Sequence, residues 1–255
     1  MTVGRARENG GAHDERGHRG RTLRLVFCAA AIFASVPAAA GPTGLAVIPT
    51  TDLVRFHQVN VVLQNGNTTV DGRHAFFRDV EPVPQLEVGL PWNIEGGIDV
   101  APADPPGEYR PFFNLKWTML AEDYRVPAVA IGVTQLGPGF SPAGFVVASK
   151  TLNYDEIEYQ KFQAHHRNLR LHGIRAHAGV LQVGALTHAM LGCDVELSEH
   201  FILWADWISG AKNALSLAGV VVFDRQNSLF VALLRENDEN RLSGVLFNFT
   251  HTFDW

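Results

Sequence analysis

Eleven histidines stand in the chain, and only His13 and His18 precede residue 40. His165, His166, His172, His177 and His188 fall in one stretch that also holds Asp194 and Glu196. Imidazole beside carboxylate is the donor set of a zinc-type site. The spacing argues against one. No H-x-x-x-H pair carries an intervening Glu, and the two cysteines, Cys28 and Cys193, form no cluster. No metal and no cofactor is expected, and the histidines are assigned to a polar lining or a loop. Nucleophilic chemistry has two candidate pairings, Ser198 with His200 and His188 with Ser216. G-x-S-x-G is missing, and GFSPAG from Gly139 has the wrong spacing. No catalytic residue is assigned. No phosphate-binding loop or G-x-G-x-x-G occurs, so nothing supports nucleotide binding.

The remaining chemistry lies in charges at alternate positions of apolar segments. Glu87, Glu95, Asp99, Asp194, Glu196 and Asp206 are set against Lys116, Lys150, Arg170 and Arg175. Enclosed in a lumen, such groups must pair or stay hydrated. They form either a charged pathway for solute or a salt-bridged plug that holds a closed barrel rigid. The plug is preferred.

The segments that position them alternate with period two over roughly ten residues, broken by Pro, Gly, Asn and Asp. In PFFNLKWTML, Phe113, Leu115, Trp117 and Met119 oppose Asn114, Lys116 and Thr118. QLEVGLPW sets Leu86, Val88, Leu90 and Trp92 against Gln85, Glu87 and Gly89, and a tight hairpin at Asn93 leads to IEGGIDV. A bulge at Gly173 would keep RLHGIRAHAGV in phase. A weaker first strand begins near Val54, in VRFHQVNVVLQ. The reading is an all-β, antiparallel, up-and-down transmembrane barrel of about twelve strands.

Alternation alone does not say which face is wet. The face opposite the apolar one is rich in Gly, Ala, Ser and Thr, which suits a confined interior. Trp92, Trp117, Trp207, Phe223, Phe253 and Trp255 sit on the apolar face near strand ends, where interfacial girdles lie. The chain also ends on a strand, and open edges are forbidden in lipid. The non-alternating stretches 65–84 and 153–167 would lie at opposite ends. With an upward first strand, 153–167 is periplasmic, where turns should be short. That mismatch leaves the strand count open by two.

Residues 1–40 are expected to be a removed signal peptide with a polar, Arg-rich lead: LVFCAAAIFASV is apolar and Ala38–Ala40 offers an A-x-A site. Residues 41–255 would be a single barrel domain. With 15 basic and 23 acidic residues, that part carries a net charge of −8. This disfavours nucleic acid as a partner. Its one cysteine, Cys193, makes no internal disulfide.

The terminal positions Phe247, Phe249, Phe253 and Trp255 resemble the C-terminal signal of bacterial outer-membrane barrels, with His251 where an aromatic or aliphatic residue is usual. That resemblance implies outer-membrane lipid and the barrel-assembly machinery as partners. GPTGLAVIPTTD, residues 41–52, resembles the G-x-T-G-L…P-T-A opening of YjbH-type outer-membrane proteins, with Thr51 in place of Ala. QLEVGL, NLKW and PAVAIGV are similar to early strands of that family. This second resemblance implies a link to exopolysaccharide production, and so a polysaccharide or small solute as partner. The expected protein is a non-enzymatic outer-membrane barrel, either a narrow or plugged channel or an accessory to polysaccharide export. The alternatives are an outer-membrane lipid-modifying hydrolase and a soluble periplasmic ligand-binding barrel.

Overall fold

The structure is a computed structural model that describes residues 44–65, 82–103, 108–152, 173–211, 213–238 and 244–255. Twelve strands follow one another: β1 (Gln58–Asn65), β2 (Val83–Leu90), β3 (Ile94–Ala103), β4 (Glu108–Leu120), β5 (Ala128–Leu136), β6 (Ala143–Thr151), β7 (Ile174–Val183), β8 (Leu186–Ser198), β9 (Phe201–Ile208), β10 (Ala214–Val222), β11 (Asn227–Glu236) and β12 (Gly244–Asp254). Each pairs antiparallel with the next, and β12 pairs with β1. The sheet is therefore a closed up-and-down barrel with no free edge.

Side chains change face at every residue along a strand. In β4 the burial alternates with that period: Phe112, Asn114, Lys116 and Thr118 are buried, while Phe113, Leu115, Trp117 and Met119 are exposed. The same split runs round the sheet. Leu63, Leu86, Ile98, Val146, Val180, Leu191, Leu203, Leu217, Leu233 and Phe249 all lie on the outside. This exposed apolar belt inverts the arrangement of a water-soluble barrel.

The seam runs from Gln58 opposite Asp254 to Asn65 opposite Phe247. One residue beyond it, the Trp255 amide still donates to the His57 carbonyl at 2.9 Å. With an even strand count, β1 begins and β12 ends at the same rim, here called the terminal rim. Exposed Phe56, Trp92, Trp117, Phe223, Phe253 and Trp255 gather toward that rim. β6 also ends at it, so the count of twelve holds, and the stretch 153–167 lies outside the described residues. The turn after β10 is tied by Asp224. Its carboxylate accepts from the Asn227 side chain and from the Gln226 and Asn227 amides, which holds it below the usual carboxylate range.

Several expectations are corrected. The first strand begins at Gln58; Val54, ahead of it, is buried against Glu95, and Arg55 to His57 are exposed where the chain passes over the terminal rim. Trp92 is not on a strand face but in the one-turn connection Pro91–Asn93, where both Trp92 and Asn93 have left-handed φ, 63° and 59°. Gly173 stands ahead of β7, so no bulge is needed within it; Leu169 to His172 lie outside the described residues. The interior is also less polar than expected. Phe112, Phe145, Leu181, Met190, Phe230, Leu234 and Leu246 point inward and build two apolar clusters.

Candidate functional site

The site is the lumen, and the chain itself occupies it. Residues 44–57 form a strap that lies inside the barrel as far as Val54 and leaves it over the terminal rim. It opens with a tight turn in which Gly44 bridges Pro49 and the Leu45 amide donates to the Ile48 carbonyl at 2.9 Å. Ile48 is buried among Ala130, Phe145, Val147, Leu181, Met190 and Ile208. β8 makes room for this turn with Gly192: a Cβ there would meet the Ile48 and Leu45 Cδ1 atoms at 2.7 Å.

Up to Val54 the strap is held by wall side chains, and only at Phe56 does a parallel backbone bridge to Gly89 take over. Asp206 Oδ2 on β9 accepts the Val47 amide at 2.8 Å and the Ile48 amide at 3.4 Å. Its other oxygen accepts the Ser216 hydroxyl. Thr51 is held through three polar atoms. Its amide donates to Ser149 Oγ at 3.4 Å, its carbonyl accepts from the Thr118 hydroxyl at 2.9 Å, and its hydroxyl oxygen accepts from Arg175 Nη2 at 2.8 Å. Arg175 Nη1 pairs with the next residue, Asp52. Further along, the Val54 amide donates to Glu95 Oε2 at 2.8 Å. The strap leaves over Gly89, where a Cβ would sit 1.8 Å from the Arg55 carbonyl oxygen. Only glycine fits under that backbone.

Behind these anchors the wall is bonded side chain to side chain. Lys116 Nζ lies 3.4 Å from Glu95 Oε1, and both side chains are essentially inaccessible, at 0% and 1%. Such a pair is tolerated because each charge has its counter-charge at hand. Asn114 donates to Asp99 at 2.7 Å and accepts from the Thr134 hydroxyl and the Gln135 amide. Glu87 accepts from Asn60 at 3.2 Å, and Asn60 accepts from Thr252 at 2.8 Å across the seam. Near the terminal rim Glu122 accepts from the Thr151 amide and pairs with Lys150 at 3.3 Å and with Arg175 Nε at 3.5 Å.

Of the charged residues singled out from sequence, Glu87, Glu95, Asp99, Lys116, Asp194 and Asp206 are buried. Lys150, Arg175 and Glu196 are half-buried, and Arg170 lies outside the described residues. Phe247, Phe249, Phe253 and Trp255 project outward from β12 and its end. The strap itself was not read from sequence as part of the lumen. Its one signal is that VIPTTDLV breaks alternation at Pro49 and carries two threonines and an aspartate between apolar ends.

The two hydrolase pairings are not brought together. Ser198 Oγ accepts the His200 amide, and His200 Nδ1 turns to the Val222 carbonyl. His188 Nδ1 faces the Ser209 carbonyl, while Ser216 bonds Asp206. A different chain does form: Ser149 Oγ lies 2.7 Å from His177 Nδ1, and His177 Nε2 lies 2.8 Å from Asp194 Oδ2. All three are buried, and the hydroxyl also takes the Thr51 amide. Here the chain serves as a support for the strap. Among the described residues no three His, Cys, Asp or Glu side chains converge as metal ligands.

Neither a scan of protein-family models nor a search of curated proteins finds a match. Fifteen chains of solved structure match. One is described as "KdgM porin in complex with disordered oligogalacturonate", at 7% identity and a TM-score of 0.46, over 78% of this chain and 99% of that one. The similarity is one of barrel architecture.

Proposed function

We propose that the chain is a non-enzymatic outer-membrane β-barrel, a small-solute conduit kept closed by its own strap. The observation that carries this reading is the pairing of an apolar exterior with an ion-paired interior that residues 44–54 occupy. A lipid-facing belt and a filled polar lumen suit a membrane barrel, not a soluble one. The buried and half-buried charges, Glu87 to Asp206, are then the lining that a solute meets once the strap moves. With signal cleavage after residue 40, three residues would precede Gly44, so the strap would be a free N-terminal tail able to leave without unthreading. Outer-membrane lipid and the barrel-assembly machinery are the partners this reading requires.

Planar-bilayer recording is the test. Wild type should be almost silent, and a variant lacking residues 44–56 should show stable unit conductance. Silence in that variant, with the barrel still heat-modifiable on gels, overturns the conduit. A chain that dissolves as a monomer without detergent overturns the membrane barrel. Phospholipid turnover abolished by Ser149→Ala would overturn the non-enzymatic assignment.

A second reading is an accessory role in polysaccharide export. It is favoured by one observation: the segment that resembles YjbH-type proteins, residues 41–52, largely coincides with the strap. Equal exopolysaccharide in wild-type cells and in cells lacking the gene would remove it.

A further inference from the structure

We infer that Arg175 marks a recognition site for a hydroxylated carboxylate, of the kind found in uronic and hydroxy acids, and that the strap occupies this site as a built-in competitor. This rests on the conduit reading and names the solute class it would serve.

The guanidinium is a planar fork that reads two acceptors at once. Here its two terminal nitrogens reach the Asp52 carboxylate and, at 2.8 Å, the Thr51 hydroxyl. Both acceptors belong to the strap. The strand circuit closes without the strap, so its withdrawal leaves the fork in place on β7.

The strap residue that the fork reads, Thr51, also meets two wall hydroxyls. Thr118 donates to the Thr51 carbonyl, and Ser149, backed by His177, accepts the Thr51 amide. A ligand with several hydroxyls would find a donor or acceptor at each. Arg175 and Lys150 both reach the wall carboxylate Glu122. Asp194, the cross-strand neighbour of Arg175, is engaged by His177 Nε2 at 2.8 Å. Withdrawing the strap takes the Asp52 carboxylate away from the Arg175 fork. Finally, the site can be reached: the Asp52 side chain retains 30% of its accessibility, and the Lys150 side chain 26%. A tethered competitor acts at millimolar effective concentration, so a free ligand would displace it in about the 10 mM range.

Hydrogen exchange of the strap in the full chain, held in detergent micelles, tests the site. The probes are sodium glucuronate, glucose, and sodium chloride at matched ionic strength. Glucuronate should speed exchange at the Thr51 and Val54 amides about tenfold, and glucose and chloride should not. Arg175→Gln should start with faster exchange and ignore glucuronate. Asp52→Asn should respond at lower glucuronate than wild type. An equal glucuronate response in Arg175→Gln, or none in Asp52→Asn, overturns the site. The readout is independent of conductance. A conducting strap deletion beside a wild type blind to glucuronate sinks the site and spares the conduit; a silent deletion beside a responsive wild type does the reverse.

Discussion

Asp206 accepts the Val47 amide at 2.8 Å although 159 positions separate them in the chain. The same carboxylate takes the Ile48 amide and the Ser216 hydroxyl. Asp206→Ala would strip three donors of one acceptor, and each orphaned buried donor costs roughly 1–3 kcal/mol. The variant should lose protection at Val47 and Ile48 in hydrogen exchange, while Asp206→Asn, which keeps an oxygen, should lose less. Unchanged protection in the alanine variant would show that the strap is held elsewhere.

Gly192 leaves the space that the strap's first turn fills. A Gly192→Ala change meets two flexible Cδ1 ends and, at 3.2 Å, Asp206 Cβ, and should be milder than any larger side chain. Gly192→Leu puts a branched side chain where Ile48 and Leu45 pack, and overpacking costs about 1–3 kcal/mol. The expected result is a strap shifted out of the lumen, with bilayer conductance approaching that of the strap deletion. Continued silence with a native-like unfolding midpoint would contradict this.

The Lys116–Glu95 pair is buried on both sides. Lys116→Met leaves a carboxylate without its cation, a loss of about 3–5 kcal/mol. Glu95→Gln with Lys116→Met should recover most of it, since glutamine still offers an oxygen to the Val54 amide. Urea unfolding in micelles gives both values, and a double variant no better than the single would refute the coupling.

Removing Asp254 and Trp255 takes away the last rung opposite Gln58 and the bond from Trp255 to His57. Unpaired backbone groups cost several kcal/mol each in hydrocarbon. The truncated chain should fail to reach the membrane fraction. Asp254→Ala loses only an exposed bond to Gln58 and should change stability by no more than about 0.5 kcal/mol. Equal membrane levels for truncation and wild type would detach the terminus from barrel closure.

The wall was legible because its rule is local. Phe113, Leu115, Trp117 and Met119 repeat every second residue, and a strand read on its own shows that. Period two also gives a buried Phe112 the same place as a buried Asn114, so the apolar clusters were hidden. The strap was not legible, because nothing in IPTTD names Asp206, Glu95 or Arg175. Its contacts are set by curvature and closure, which no short window of sequence contains. Trp92 misled for another reason: it continues the alternation of β2 by one step, but Pro91 ends the strand beneath it.

The strap also constrains the order in which the molecule can form. Its links to Glu95, Thr118, Ser149, Arg175 and Asp206 span 41, 67, 98, 124 and 159 positions. The segment made first among the described residues therefore waits for partners made much later, while eleven of the twelve strand pairings join chain neighbours. Pairings of high sequence separation are the slow ones. Either the growing sheet curls around the strap before β12 reaches β1, or the tail enters a finished cylinder from the terminal rim. The first path binds assembly and occlusion into one kinetic event; the second makes them two. A refolding time course in which seam formation and strap protection share one rate, or show two, would tell whether the barrel is ever hollow.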